Sequence, residues 1–507
     1  MKIALAQIKL TIGDFELNLE LIKKYICEAI ENNVNLIIFP ELTSVVKGAK
    51  DLLLREEYMS QAENVIKEIL NYSDKISILI GSVFSRSSKL YNSVILIKDK
   101  TINDVATLNL LSVDDLRYFS SNKLNEVFEI ENIKFLPIIG DDINNESDFD
   151  NVDYVIHFNS TPFIKNLDKK TLKNVNYISI NHVGLAQELI FDGGSFLSNS
   201  NGEKVVELPK FEEKLQIIDL DNITPVLQSK VAKEENIFKS LSFAFKEFCR
   251  INRFSKAIIG LSGGIDSALS AVILCDAIGS ENVLGVTMPS KYSTEGSWQD
   301  SYDLAENLNM ECKTIPIKPL FDTFINDIQG QSFEDLAEEN LQARLRGNIL
   351  MAFSNRENRV LVSTGNKSEV AMGYCTLYGD TCGGINLISD LYKQEVYALS
   401  NWINREKEII PINTITKAPS AELRPNQKDQ DSLPEYEILD EILYRFIEEN
   451  QTIEEISQKF DKKLVCEIVN KFNGMEFKRN QLTYCLKISK KALLERNYPV
   501  VNRFRYL

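Results

Sequence analysis

The chain has 507 residues, too many for one ordinary hydrophobic core, so at least two domains are expected. Its apolar share of 44% and charged share of 26% are those of a globular protein, and no apolar run is long enough to span a bilayer. A net charge of −16 argues against general nucleic-acid binding, while leaving room for a local basic groove, and only two histidines, His157 and His182, argue against a His-rich metal centre.

The opening residues Met1-Lys2-Ile3-Ala4-Leu5-Ala6-Gln7-Ile8 turn polar too early for a signal peptide and predict a strand over 2–8. The periodicity of Leu19, Ile22, Ile26 and Ile30 predicts a helix over 16–32. A buried strand over 36–39 runs into Pro40-Glu41. Further strands are predicted over 76–84, 92–98, 134–139, 154–159, 177–181, 191–195 and 215–220. The polar stretch 221–235 is the candidate linker, which gives domains at 1–225 and 235–507.

Beyond it the pattern changes. Helices are predicted over 237–251, 267–277, 299–308 and 333–355, alternating with strands over 257–261, 283–288, 313–317 and 360–363. Strands that alternate with helices make a doubly wound parallel sheet. Eight scattered cysteines with no CxxC pair and no secretory signal fit reduced thiols in the cytoplasm. Carboxylate-held magnesium is the metal to expect in such a chain.

One motif carries clear chemistry. Ser262-Gly263-Gly264-Ile265-Asp266-Ser267 lies between a buried strand and a helix. Glycines let the backbone approach phosphates, and the helix N-terminus aims N–H groups at them. The Ser262 and Ser267 hydroxyls can donate, and Asp266 can hold magnesium. No Gly-Lys-Ser/Thr follows, so this is not a Walker turn.

The turn matches the SGGxDS pattern of PP-loop pyrophosphatases. Further segments make the chain resemble the glutamine-dependent NAD synthetase family. They are Glu339-Asn340-Leu341-Gln342-Ala343-Arg344, Ser363-Thr364-Gly365-Asn366-Lys367-Ser368-Glu369 and Leu377-Tyr378-Gly379-Asp380. Asp390-Leu391-Tyr392-Lys393, Pro419-Ser420-Ala421-Glu422-Leu423-Arg424-Pro425 and Lys478-Arg479-Asn480-Gln481 complete the set. The resemblance implies that ATP adenylates the nicotinate carboxylate of deamido-NAD, after which ammonia displaces AMP. It assigns Gly260, Ser262, Gly263, Gly264, Asp266, Ser267, Thr364, Lys393 and Ser420 to ATP, and Asp266 and Glu369 to magnesium. Asn340, Glu369 and Lys478 would position deamido-NAD, and Asp380 is a candidate for handling ammonia. Taken singly, Lys393 and Lys478 would be solvated surface lysines, and Asn340 and Glu369 helix-surface residues.

The first half resembles the nitrilase superfamily, an α/β/β/α sandwich. The carriers are Gly13-Asp14, Phe39-Pro40-Glu41-Leu42, Asp51-Leu52-Leu53-Leu54-Arg55, Leu90-Tyr91-Asn92-Ser93 and Arg117-Tyr118-Phe119. Asn159-Ser160-Thr161-Pro162-Phe163 and Phe191-Asp192-Gly193-Gly194-Ser195 also fit. Such domains hydrolyse glutamine with a Glu base, a Lys for the oxyanion and a Cys nucleophile. Glu41 stands at the base position. Gly140 stands where the cysteine belongs, and no lysine lies between Lys100 and Lys123, where Asp104 is near the expected site. Cys27, the one cysteine of this half, reads as a small apolar side chain on the first helix. Asp141 and Asp142 would be poor nucleophiles, with a hydrogen-bonded turn as their plain role. His182 is expected to be structural.

The expected protein therefore amidates deamido-NAD with free ammonia, or with ammonia from a separate glutaminase. A homo-oligomer is implied by the resemblance, with a dimer as minimum and an octamer as a higher form; nucleic acid and membrane are not expected partners. Three alternatives stay open: glutamine use through an unrecognised nucleophile, nicotinate mononucleotide as acceptor, and a nucleotide-binding scaffold without activity.

Overall fold

The computed structural model describes residues 1–146, 149–495 and 498–507. They form two compact units, Met1–Val231 and Ala232–Leu507.

The first unit begins with β1 (Lys2–Gln7), α1 (Phe15–Glu31), β2 (Leu36–Ile38), α2 (Glu56–Ile69), β3 (Ser77–Arg86), β4 (Lys89–Lys98), β5 (Thr101–Thr107) and β6 (Leu124–Asn125). It continues with β7 (Phe128–Ile130), β8 (Ile133–Ile139), β9 (Tyr154–Phe158), β10 (Asn176–Ile180), β11 (Val183–Ala186), β12 (Leu189–Asp192), β13 (Phe196–Ser198), β14 (Lys204–Glu207) and β15 (Lys214–Asp219). One sheet has the order β15-β1-β2-β3-β4-β5-β6 and the other β14-β13-β10-β9-β8-β7.

Alternation along the strands builds the layers. Ile3, Leu5, Leu36, Ile38 and Leu79 pack inward against Phe135, Ile139, Ile156, Phe158 and Ile178 of the second sheet. The intervening Ala4, Ala6, Ile37 and Ile78 face α1 and α2 through Ile22, Ile26, Ile66 and Ile69. Each fully buried Ile or Leu stabilises by about 1.5–3 kcal/mol. Asp14 caps α1 by accepting from the Leu17 N–H. On the outer face of the second sheet, Leu136, Ile138, Val155 and Tyr177 are covered by Ile143, Phe149, Val152 and Leu172. Ile143 comes from a 3-10 turn, Gly140–Asn145, whose Asp and Asn residues favour a turn over helix.

Several boundaries differ from the sequence reading. The strand expected over 191–195 is split into β12 and β13, because Gly193 (φ 66) and Gly194 (φ 56) turn the chain between them. The helix α2 and strand β5 were not predicted; their apolar residues are interrupted by charge and read as loop.

The second unit holds α3 (Lys233–Asn252), β16 (Ala257–Gly260), α4 (Ile265–Ile278), β17 (Val283–Thr287), α5 (Glu295–Leu308), β18 (Glu311–Thr314), α6 (Lys318–Thr323) and α7 (Leu336–Glu357). It ends with β19 (Val360–Ser363), α8 (Lys367–Ala371), β20 (Ile385–Asn386), α9 (Lys393–Ile403), α10 (Ile412–Thr416), α11 (Tyr436–Ile447), α12 (Ile453–Ile456), α13 (Lys462–Gly474) and α14 (Glu476–Arg479). The linker expected over 221–235 is shorter than read, since α3 starts at Lys233. The strand expected over 313–317 lies earlier, because Glu311–Thr314 is the part that pairs with β17.

The sheet is parallel throughout, in the order β18-β17-β16-β19-β20. The chain leaves β16 toward β17 on one side and later returns to its other flank as β19. Ligands bind such sheets at the C-terminal ends of the strands flanking this reversal. The Gly-rich turn follows β16, and Thr364-Gly365 follows β19, so both open on that crevice.

Candidate active site

A cavity of about 320 Å³ occupies the crevice. Gly260, Ser262, Gly264, Asp266, Ser267, Thr364, Glu369, Asp380, Lys393 and Ser420 line it. Residues predicted from segments up to 160 positions apart thus meet around one space.

The turn is self-braced. The Gly264 N–H donates to Ser262 Oγ at 3.2 Å, and Ser267 Oγ donates to the Gly264 carbonyl at 2.9 Å. Gly263 (φ 74) is not part of the lining; a Cβ there would stand 2.1 Å from the Ser297 carbonyl oxygen, so α5 packs directly on its backbone. Any other residue would push the turn off α5.

At the far end of the turn lies a buried charge cluster. Lys393 Nζ donates to Asp266 Oδ2 at 2.5 Å and to Glu369 Oε1 at 3.0 Å. Asn366, which the sequence reading did not single out, donates to Asp266 Oδ1 at 2.9 Å and caps α8 by accepting from the Glu369 N–H. Burial disfavours charge on Lys393, but Asp266 and Glu369 outweigh it and raise its pKa. Burial pushes the Glu369 carboxyl up to about 7, against the pull of Lys393 and with help from Asp266. Lys393 is thus no solvated surface lysine. Tyr436 completes the cluster by donating to Asp429 Oδ2 at 2.8 Å, with Glu369 Oε1 at 3.5 Å from the same hydroxyl.

Among the described residues no group of three or more His, Cys, Asp or Glu is placed to hold a metal by itself. Two carboxylates suit magnesium, which takes oxygen donors and draws the rest of its shell from phosphates and water.

Asn340 and Lys478 were expected to position deamido-NAD, and they lie beside the cavity and not in its lining. Asn340 accepts from Thr376 Oγ1 at 2.8 Å, while Lys478 Nζ donates to the carbonyls of Gly373 (2.8 Å) and Cys375 (2.7 Å). Both therefore grip the loop 373–380, whose Asp380 does reach the cavity. Asp380 accepts from the Thr376 N–H at 2.8 Å, and burial raises its pKa. The loop carrying Ser420 is latched by Glu422, which accepts from Ser297 Oγ at 2.5 Å and Thr294 Oγ1 at 3.1 Å. Arg346 and Lys417 also line the cavity and were missed; each lies on an element whose sequence reads as solvated helix or loop.

In the first unit the residues singled out from the sequence are placed as follows. Glu41 is buried and accepts from Asn92 Nδ2 at 2.7 Å. Gly140 ends β8 in the left-handed region (φ 51), and its carbonyl lies 2.8 Å from His157 Nε2. A Cβ at Gly140 would meet only Leu108 Cδ1, at 3.5 Å. Asp142 accepts from the N–H groups of Asn109 (2.7 Å) and Leu110 (2.8 Å), pinning the segment that lacks the lysine. Asp104 instead accepts from Arg86 at 3.1 Å.

A lysine does approach the base, from another direction. Lys47 Nζ donates to Glu41 Oε1 at 3.4 Å and lies 3.8 Å from Asp115 Oδ1. Leu42 (φ 53) and Val46 (φ 64) bracket the segment in left-handed conformations that cost strain for such side chains. The markers Asp51 and Arg117-Tyr118 meet, with the Arg117 guanidinium donating twice to Asp51 at 2.9 Å. Cys27 is exposed on α1, which corrects its reading as an apolar packing residue. His182 lies 2.5 Å from the Glu41 carbonyl through Nε2, and burial lowers its pKa to about 4, as befits a neutral structural group.

Comparison with known proteins matches both halves. A family model described as NAD synthase covers residues 237–482, and one described as carbon-nitrogen hydrolase covers 2–108. The glutamine-dependent NAD(+) synthetase of Synechocystis sp. is 38% identical over 97% of this chain and 96% of its own length. That of Thermotoga maritima is 35% identical over 100% and 99%. A solved glutamine-dependent NAD+ synthetase from Acinetobacter baumannii, in complex with ADP, is 33% identical over 99% of this chain and 98% of its own, with a TM-score of 0.75. End-to-end likeness at this level, on a parallel sheet with the Gly-rich turn at its switch point, places the chain in the family of glutamine-dependent NAD(+) synthetases.

Proposed function

We propose that this NAD synthetase amidates deamido-NAD with ammonia that is free or supplied by a separate glutaminase, and does not hydrolyse glutamine itself. The observation that carries the nitrogen source is Gly140: the turn that should present a thiol presents no side chain.

The N–H groups and hydroxyls of residues 262–267 hold the pyrophosphate end of ATP. Asp266 and Glu369 are the residues that would hold magnesium, which when bound offsets phosphate charge. Lys393 adds a fixed positive charge beside them. A nicotinate oxygen attacks the α-phosphorus; the new O–P bond forms as pyrophosphate leaves with the bridging electron pair. Ammonia then adds to the acyl carbon and the C–O bond to AMP breaks. Adenylation is needed because a carboxylate oxygen is a poor leaving group. Asp380 takes the proton that the attacking nitrogen sheds, a role supported by its position in the cavity lining and by a pKa raised by burial. Asn340 and Lys478 act by fixing the loop that carries Asp380.

Among the described residues no helix is long and apolar enough to cross a membrane. A cytoplasmic homo-oligomer, dimeric at least and octameric in a higher form, belongs to the same proposal. The test is NAD formation from deamido-NAD, ATP and magnesium, with ammonium chloride in one reaction and glutamine in another. Product with ammonium alone is the expected result. Product with glutamine, in protein free of contaminating glutaminase, would overturn the reading of Gly140. A third reaction with nicotinate mononucleotide tests the length of the acceptor.

A further inference from the structure

Three cations line the synthetase cavity, and two are matched by carboxylates. Lys393 is paired with Asp266 and Glu369, and Lys417 with Asp300 at 2.9 Å. Arg346 makes no ion pair among the described residues. Its Nε donates to the Met288 carbonyl at 3.1 Å, which anchors the guanidinium beyond the end of β17. Its two terminal amino groups have no partner among the described residues. Burial works against this charge, with Asp380 and Glu422 favouring it from beyond contact range. Arg346 is half-buried, and a guanidinium facing a cavity without a carboxylate in contact is a ready partner for an anion. Arg offers a planar fork of donors suited to phosphoryl oxygens.

Its place selects which phosphoryl group. One turn further along α7, Leu350 packs at the end of β16, where a Cβ on Gly260 would lie 3.3 Å from Leu350 Cδ1. Arg346 therefore lies beside the start of the Gly-rich turn. Its charged neighbours are Asp380 and Glu422, not the Asp266–Lys393–Glu369 cluster at the turn's other end. The pyrophosphate end of the nucleotide already has that cluster and the turn. The remaining phosphoryl group is the one that stays with AMP.

We propose that Arg346 binds the α-phosphoryl group of ATP and keeps hold of it in the adenylated nicotinate. It neutralises the charge that builds at phosphorus as the O–P bond to nicotinate forms and the bond to pyrophosphate breaks. It holds the same group when AMP leaves with the C–O electron pair. This rests on the NAD synthetase reading above.

The test uses the full chain with Arg346→Gln and Arg346→Lys. Two binding measurements, AMP alone and inorganic pyrophosphate with magnesium, are set beside ATP–pyrophosphate exchange dependent on deamido-NAD. In Arg346→Gln, AMP affinity is expected to fall about tenfold or more and exchange about 100-fold, with pyrophosphate affinity unchanged. Arg346→Lys should recover only part of the AMP affinity, because an ammonium cannot replace the fork. Unchanged AMP affinity in Arg346→Gln would overturn the proposal, and so would equal losses of AMP and pyrophosphate affinity, the mark of a merely structural role. If Arg346→Gln does not fold, Arg346→Lys with wild-type AMP affinity overturns it. Absence of exchange in the wild-type protein would instead overturn the NAD synthetase reading, while the binding comparison still reports on Arg346.

Discussion

Both halves of the chain carry a glycine with positive φ in the turn that follows a strand, Gly140 (51°) after β8 and Gly263 (74°) after β16. At Gly263 a Cβ would stand 2.1 Å from the Ser297 carbonyl oxygen, so glycine is the residue that fits. At Gly140 a Cβ would meet nothing nearer than Leu108 Cδ1 at 3.5 Å. One glycine is imposed by packing; the other stands where a side chain has room. The fold of the first half thus does not depend on which side chain stands at position 140. The sandwich is held by Ile3, Leu5, Phe135, Phe158 and their neighbours. Glu41 keeps the hydrogen bond from Asn92 Nδ2, and His182 its contact with the Glu41 carbonyl, because unpaired buried polar groups are costly.

The comparison breaks most visibly through alanine at each glycine. Gly263→Ala forces α5 off the turn and is expected to cost more than about 4 kcal/mol locally, with NAD formation lost. Gly140→Ala is expected to cost about 1–2 kcal/mol, from the left-handed backbone alone, and to leave ammonium-dependent NAD formation unchanged. Denaturant unfolding and the ammonium assay read both; equal effects would erase the distinction.

Next comes Lys393→Met. It leaves Asp266 and Glu369 facing each other without their cation, a loss of about 3–5 kcal/mol in the synthetase half together with its activity. The counterpart in the first unit is His182. Its pKa falls from 6.5 to about 4 on folding, so between those values the unfolded chain binds a proton that the folded chain refuses. Stability is complete above pH 6.5 and declines as pH falls toward 4, by up to about 3 kcal/mol. His182→Gln should flatten that part of the pH–stability curve; an unaltered slope would assign the decline to other groups.

Contiguity decided what could be read without coordinates. The Gly-rich turn packs its chemistry into six neighbouring residues, Ser262 to Ser267, and Gly140 was visible as a gap in a local pattern. Arg346 was not, because a cation on a helix read as solvated becomes notable only when the cavity beside it is known and, among the described residues, no carboxylate is in contact with it. Lys47 was missed for the same reason: it reaches Glu41 from a loop with no pattern of its own. Asn340 and Lys478 were found by resemblance, but only the fold shows that they hold a loop and do not line the cavity.

The smallest change sharpens the comparison furthest. Gly140→Cys returns a thiol to a position with space for it, at a cost of about 1–2 kcal/mol for a side chain in the left-handed region. Glu41 is still there to serve as base, but the ammonium beside it, Lys47, is shared with Asp115 and comes from a different segment than the one the chemistry uses. That segment is held by Asp142 and presents Leu108 to the turn. A tetrahedral oxyanion formed on the introduced thiol would lack its donor, and losing one such donor costs about 10²–10³ in rate. The variant is therefore expected to fold, to be alkylated by iodoacetamide at the introduced thiol, and to make no NAD from glutamine. If glutamine does drive NAD formation in Gly140→Cys, Lys47 supplies the missing charge. In that case the first half is one residue from activity, and Gly140→Cys/Lys47→Met should abolish the gain while leaving the ammonium-dependent rate untouched.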